Sequence, residues 1–142
     1  MARRRTTGSF IAAGGALSDS GTVALRCLIV DDNDDFLTSA TRLLEGQGLE
    51  IVGRVSSGSD AVRMAENMRP DVVVLDVLLG EEDGFEVARR LAATVPATRV
   101  VLVSTHSEDD LAEGLAESPA VGFLPKRALS AAAIAEVLGS TA

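Results

Sequence analysis

From Leu25 onward, short apolar runs alternate with stretches of helical periodicity, and this alternation constrains the fold more than any other feature of the chain. The runs at 25–30, 49–55, 72–76, 99–103 and 121–124 are rich in Val, Ile and Leu and have the length of strands. Between them, 33–47 places Phe36, Leu37, Ala40, Leu43 and Leu44 at three- and four-residue spacing, and Gly46 and Gly48 stop it. Ser59 or Asp60 is expected to cap a helix reaching Met68, which Pro70 ends. Further helices are expected over 85–94, over 108–117 behind Ser107, and over 129–138. The fourth has a thin apolar face and an internal Gly114, so it is the weakest of the set. Strands that alternate with helices make a parallel sheet covered on both faces.

The sheet must be packed with aliphatic side chains, because the 142 residues include four Phe but no Tyr or Trp. The single cysteine, Cys27, lies inside the apolar run LRCLIV and reads as a small core residue. Residues 1–23 are rich in Gly, Ser and Ala and read as a disordered tail, too broken by Gly14 and Gly15 for a signal peptide. That tail holds 3 of the 13 basic residues and 1 of the 21 acids, so the remainder carries 10 basic against 20 acidic side chains. Such a balance argues against direct nucleic-acid binding and against an anionic membrane surface. No apolar stretch has the length of a membrane span. Residues 24–142 are therefore expected to form one domain, with no output domain after it.

In an open parallel sheet, ligands bind beyond the carboxyl ends of the strands. The runs there end in Asp31-Asp32, Asp76 and Ser104-Thr105, and the fifth leads into Lys126. Asp34 and Asp35 come after the strand end and read as first-turn acids that favour the helix dipole. Asp31, Asp32 and Asp76 are different. Two unit charges about 4 Å apart repel by about 4 kcal/mol at an effective dielectric near 20. Three clustered carboxylates need a cation, or one must hold a proton. Hard oxygen ligands suit Mg²⁺. Aspartate can form an acyl phosphate, and such transfer depends on a divalent metal, a fixed cation and in-line positioning. The edge offers Asp76 as nucleophile, Asp31 and Asp32 for the metal, Lys126 as cation and Ser104 as hydroxyl donor. His106, the sole histidine, reads as an exposed loop residue.

With these residues in place, the chain resembles the receiver domain of two-component response regulators, of which chemotaxis receivers are an example. The resemblance rests on LIVDD (28–32), VVVLD (72–76), LVST (102–105) and GFLPK (122–126), with Asp83-Gly84 in the loop after Asp76. Separations of 45, 28 and 22 residues join Asp31, Asp76, Ser104 and Lys126 in turn. The resemblance, not the residue pattern, implies a flavodoxin-like doubly wound sheet of order 2-1-3-4-5. It implies a cytoplasmic phosphoprotein that takes a phosphoryl group on Asp76 from a sensor histidine kinase or a histidine phosphotransfer protein. Mg²⁺ would be held by Asp31, Asp32, Asp76 and the backbone carbonyl of Leu78. Ser104 and Lys126 would bind the phosphoryl oxygens. Phe123 would be the switch aromatic, turning inward as Ser104 is drawn to the phosphate. The fourth helix, fifth strand and fifth helix would form the face that changes partners, with a downstream protein or a phosphorylation-linked dimer as the outcome.

Several positions depart from the family pattern. Leu79-Gly80 stands where Met-Pro is frequent, Thr105 where Ala is common, and Arg127 where Pro often follows the lysine. Leu78 and His106 fall where the family tunes the lifetime of the acyl phosphate. Among rival functions, a pseudo-receiver that is never phosphorylated would not need the full residue set. A haloacid-dehalogenase-like phosphatase wants a second aspartate two residues after its nucleophile, and Asp31 is followed there by Asn33. The expectation is thus a stand-alone signalling module and not an enzyme acting on other substrates.

Overall fold

The computed structural model describes residues 24–139, so the tail reading of residues 1–23 lies outside the described residues. Seven strands and five α-helices follow one another: β1 (Arg26–Val30), α1 (Asp34–Gly46), β2 (Glu50–Val55), α2 (Gly58–Met68), β3 (Val72–Asp76), β4 (Leu78–Leu79), β5 (Glu82–Asp83), α3 (Gly84–Thr94), β6 (Arg99–Ser104), α4 (Ala112–Glu117), β7 (Gly122–Pro125) and α5 (Ala131–Gly139). Five of the strands form one sheet in the order β2-β1-β3-β6-β7, and every pairing in it is parallel. Numbered among themselves, these strands run 2-1-3-4-5, the flavodoxin-like arrangement.

Side chains on a strand point alternately to the two faces, so each strand feeds two cores. Leu28, Val30, Val73, Leu75 and Leu102 face one way and pack with Ala61 and Ala65 of α2 and Val87, Ala88 and Leu91 of α3. Cys27, Ile29, Val72, Val74, Val101 and Val103 face the other way and pack with Leu37, Ala40 and Leu44 of α1 and Ile134 and Leu138 of α5. β3, the central strand, is buried along its whole length. Cys27 is fully buried, and burial, followed by the nearby Asp71 charge, pushes its thiol up to about 12.

Local chemistry sets the helix ends. Asn33 caps α1, its side-chain oxygen accepting the Phe36 N–H at 3.0 Å. The cap of α2 is Ser57, ahead of the expected Ser59 or Asp60; its hydroxyl accepts the Asp60 N–H at 3.2 Å. The helix thus starts at Gly58, where an added Cβ would stand 2.7 Å from Val87 Cγ2 and 2.8 Å from Glu82 Oε2. α4 is also shorter than expected. A 3₁₀ turn over Asp109–Leu111 precedes six α-helical residues, none of them buried. The short antiparallel hairpin β4–β5, with Gly80 at φ +60° in its turn, was not anticipated.

Candidate functional site

Asp31 directly follows β1, Asp76 is the last residue of β3, Ser104 the last of β6, and Lys126 follows β7. Because β1, β3, β6 and β7 lie side by side and parallel, all four residues reach one edge of the sheet. Asp31 is fully buried, Ser104 nearly so, and Asp76 is 6% exposed. Lys126 extends across the edge with its Nζ 2.6 Å from Asp31 Oδ2 and 3.3 Å from Asp76 Oδ2. Carboxylate oxygens of Asp31, Asp32 and Asp76 lie within 4.8 Å of one another.

Backbone groups fix two of the carboxylates. Asp31 Oδ1 accepts the Asn33 N–H at 2.8 Å, and Asp76 Oδ1 accepts the Leu78 N–H at 3.1 Å. Asp31 Oδ2 is different: it is buried and, apart from its ionic contact with Lys126, has no hydrogen-bond partner of acceptable geometry. Burial raises the Asp76 carboxyl to about 6, and the Asp31 charge pushes the same way; the Leu78 N–H and Lys126 oppose them without prevailing. Burial acts to lower Lys126, but its close ionic contact with Asp31 and the charges of Asp76 and Asp31 outweigh it and hold the ammonium above its ordinary value. One lysine thus does not balance three acids. A cluster of three carboxylates with a single ammonium among them is a set of hard oxygen donors that fits Mg²⁺.

The remaining expected residues are near the edge in different postures. Ser104 Oγ accepts the His106 N–H at 2.9 Å and lies 3.5 Å from His106 Nδ1. Its hydroxyl is therefore engaged with its own loop. His106 is exposed as expected, yet it holds Ser104. Phe123 is half-buried in β7 and packs against the α2–α3 core. Leu78 is 49% exposed beside the site, and Thr105 is exposed.

Two contacts escaped the sequence reading. The Phe36 ring lies under Lys126, with Nζ 4.4 Å from its centroid. Glu82 Oε1 accepts the Gly58 N–H at 2.9 Å and ties the β4–β5 hairpin to the start of α2. Both join segments distant in sequence, so residue spacing carries no sign of them.

Comparison with known proteins agrees with this fold. The sequence model of the family described as "Response regulator receiver domain" matches residues 27–138. The response regulator GacA of Pseudomonas aeruginosa is 35% identical over 105 residues, which is 73% of this chain and 49% of that protein. The transcriptional regulatory protein LiaR of Bacillus subtilis is 28% identical over 80% of this chain and 54% of its own length. The chain thus spans about half the length of the curated relatives it matches. Among solved structures, the signal receiver domain of NarL from Mycobacterium tuberculosis superposes with a TM-score of 0.72 at 28% identity, covering 82% of this chain and 95% of that one.

Proposed function

The chain belongs to the response regulator receiver family, and we propose that within it the protein is a phosphorylation switch whose acceptor is Asp76. The donor is a phosphohistidine of a sensor histidine kinase or a histidine phosphotransfer protein, which places the reaction in the cytoplasm. A carboxylate oxygen of Asp76 attacks phosphorus. The bond from phosphorus to the imidazole nitrogen breaks, and the imidazole leaves with the electron pair and takes up a proton. Water later attacks the phosphorus and returns Asp76 and inorganic phosphate. The chain does not turn over other substrates in this reading.

The observation that carries the proposal is the electrostatic setting of Asp76. It is a buried carboxylate, next to two others, with an ammonium 3.3 Å away. We assign Asp31, Asp32, Asp76 and the Leu78 carbonyl to Mg²⁺, which when bound neutralises charge on the transferring group. Lys126 stands where it can meet a phosphoryl oxygen while keeping its contact with Asp31. Ser104 reaches the phosphoryl group by giving up its bond to the His106 N–H, and Phe123 follows into the space it leaves. The surface that changes is α4, β7 and α5, where α4 has no buried residue to hold it. A downstream protein, or a second copy of the chain, reads that surface.

Intact mass after incubation with Mg²⁺ and a small phosphodonor such as acetyl phosphate tests the acceptor. The wild type is expected to gain one phosphoryl group and Asp76→Asn none. No gain by the wild type, with the fold intact, would replace the switch by a pseudo-receiver.

A further inference from the structure

Lys126 has a third neighbour besides the two acids. Its Nζ faces the Phe36 ring at 4.4 Å from the centroid, and Phe36 is half-buried against the α1–α5 core. These contacts close a circuit of four residues. Asp31 Oδ1 accepts the Asn33 N–H, and the Asn33 side-chain oxygen accepts the Phe36 N–H. The Phe36 ring meets Lys126, and Lys126 Nζ returns to Asp31 Oδ2. The cap of α1 therefore does more than start a helix. It also ties the backbone of Phe36, whose ring meets the lysine, to the buried carboxylate that the lysine reaches.

We propose that Phe36 is a positioning residue for Lys126: its aromatic face holds the ammonium between Asp31 and Asp76, ready for the phosphoryl oxygens. The inference deepens the proposed function and rests on it. A lysine has four rotatable carbons and a compact, strongly hydrated charge, so two carboxylates on one side leave it several postures. A ring face attracts a cation through its quadrupole and admits no hydrogen bond from the flank it covers, which removes postures on that side. The Lys126 side chain is only 15% exposed, so this attraction is weakly screened. The ring does not compete with an incoming phosphoryl group, because its face is a far weaker partner for the ammonium than a phosphoryl oxygen. Leucine at position 36 would fill the same apolar space without the face. Tyrosine would keep the face.

The first readout needs no phosphorylation. In the wild type, the Lys126 methylene protons next to Nζ are expected to resonate upfield through the ring current, to do so in Phe36→Tyr, and to return to ordinary positions in Phe36→Leu. The second is the rate of phosphoryl gain from acetyl phosphate with Mg²⁺. Phe36→Leu is expected to be about 3- to 10-fold slower than wild type, the range set by the loss of one cation–π contact. Phe36→Tyr is expected to stay within about twofold of wild type by keeping that contact. No upfield shift in the wild type would overturn the inference, as would Phe36→Leu reacting at the wild-type rate. Equal slowing of the leucine and tyrosine variants would also overturn it, since packing alone would then explain both. A wild type that shows the upfield shift but takes no phosphoryl group would sink the proposed function, and the positioning role with it, leaving only the contact.

Discussion

Below pH 6 the Asp76 carboxyl of the folded, metal-free chain takes up a proton that an unfolded chain would not bind until the pH fell near 3.8. A raised folded-state value means that this group favours folding at low pH and that the advantage is lost as pH rises through about 6. Asp76→Asn removes the titration. In a chelator, the variant is expected to be more stable than wild type at pH 7.5 by up to about 3 kcal/mol, and the gap should close between pH 6 and pH 4. Urea unfolding followed by far-UV circular dichroism measures it, and a gap that stays constant over that range would refute the assignment. Asp31, Asp32, Asp76 and Lys126 were legible in the sequence because each sits at the end of an apolar run, and the run fixes where its end must be. The posture of Ser104 was not legible, because its hydroxyl is settled by a backbone N–H two residues on. Phe36 was hidden for another reason. Its ring acts on a side chain 90 positions away, and only the parallel sheet brings them together.

Element boundaries follow from local caps, and those deviate where tertiary packing intervenes. Ser57 displaces Ser59 and Asp60 as cap, and the next backbone N–H, that of Gly58, is taken by Glu82 of the hairpin, a partner distant in sequence. The hairpin itself has two residues per strand, too few for a period-2 pattern to emerge. α4 is the case with a consequence. A Cβ at Gly114 would stand 2.5 Å from the Phe85 ring, so glycine allows the helix to lie on the first turn of α3. Gly114→Ala is expected to destabilise the chain by about 1–3 kcal/mol through overpacking, although alanine is by far the better helix former. Phe85→Leu in the same chain should recover part of the loss. Thermal unfolding of the single and double variants measures both, and a stabilising Gly114→Ala would show that α4 makes no close contact there.

For the whole molecule, the alternation of runs and helices fixed the doubly wound class, while strand order came from the resemblance. Continuous apolar runs such as Val72–Leu75 look alike whichever neighbour they pair with, so the sequence holds little record of register. The surplus of acids is likewise a property of the whole chain, and among the described residues Asp31, Asp32 and Asp76 bring three of them together at the sheet edge. A cation that binds only the folded state stabilises it by mass action, about 2.7 kcal/mol at a hundredfold excess over its Kd. Saturating Mg²⁺ is therefore expected to raise the melting temperature of the wild type by several degrees and to leave Asp31→Asn unmoved. Equal shifts in both would mean that the ion binds elsewhere.

The sheet also acts as a partition. The side chains of α2 and α3 share one core and those of α1 and α5 the other, with the strands between them. Substitutions in the two layers should combine additively, since residues without common partners rarely couple. A lineage can then rewrite one helical surface to suit a new neighbour while the opposite surface keeps its own. Divergence on one side carries no toll on the other, provided the strand ends that bear the acids stay as they are.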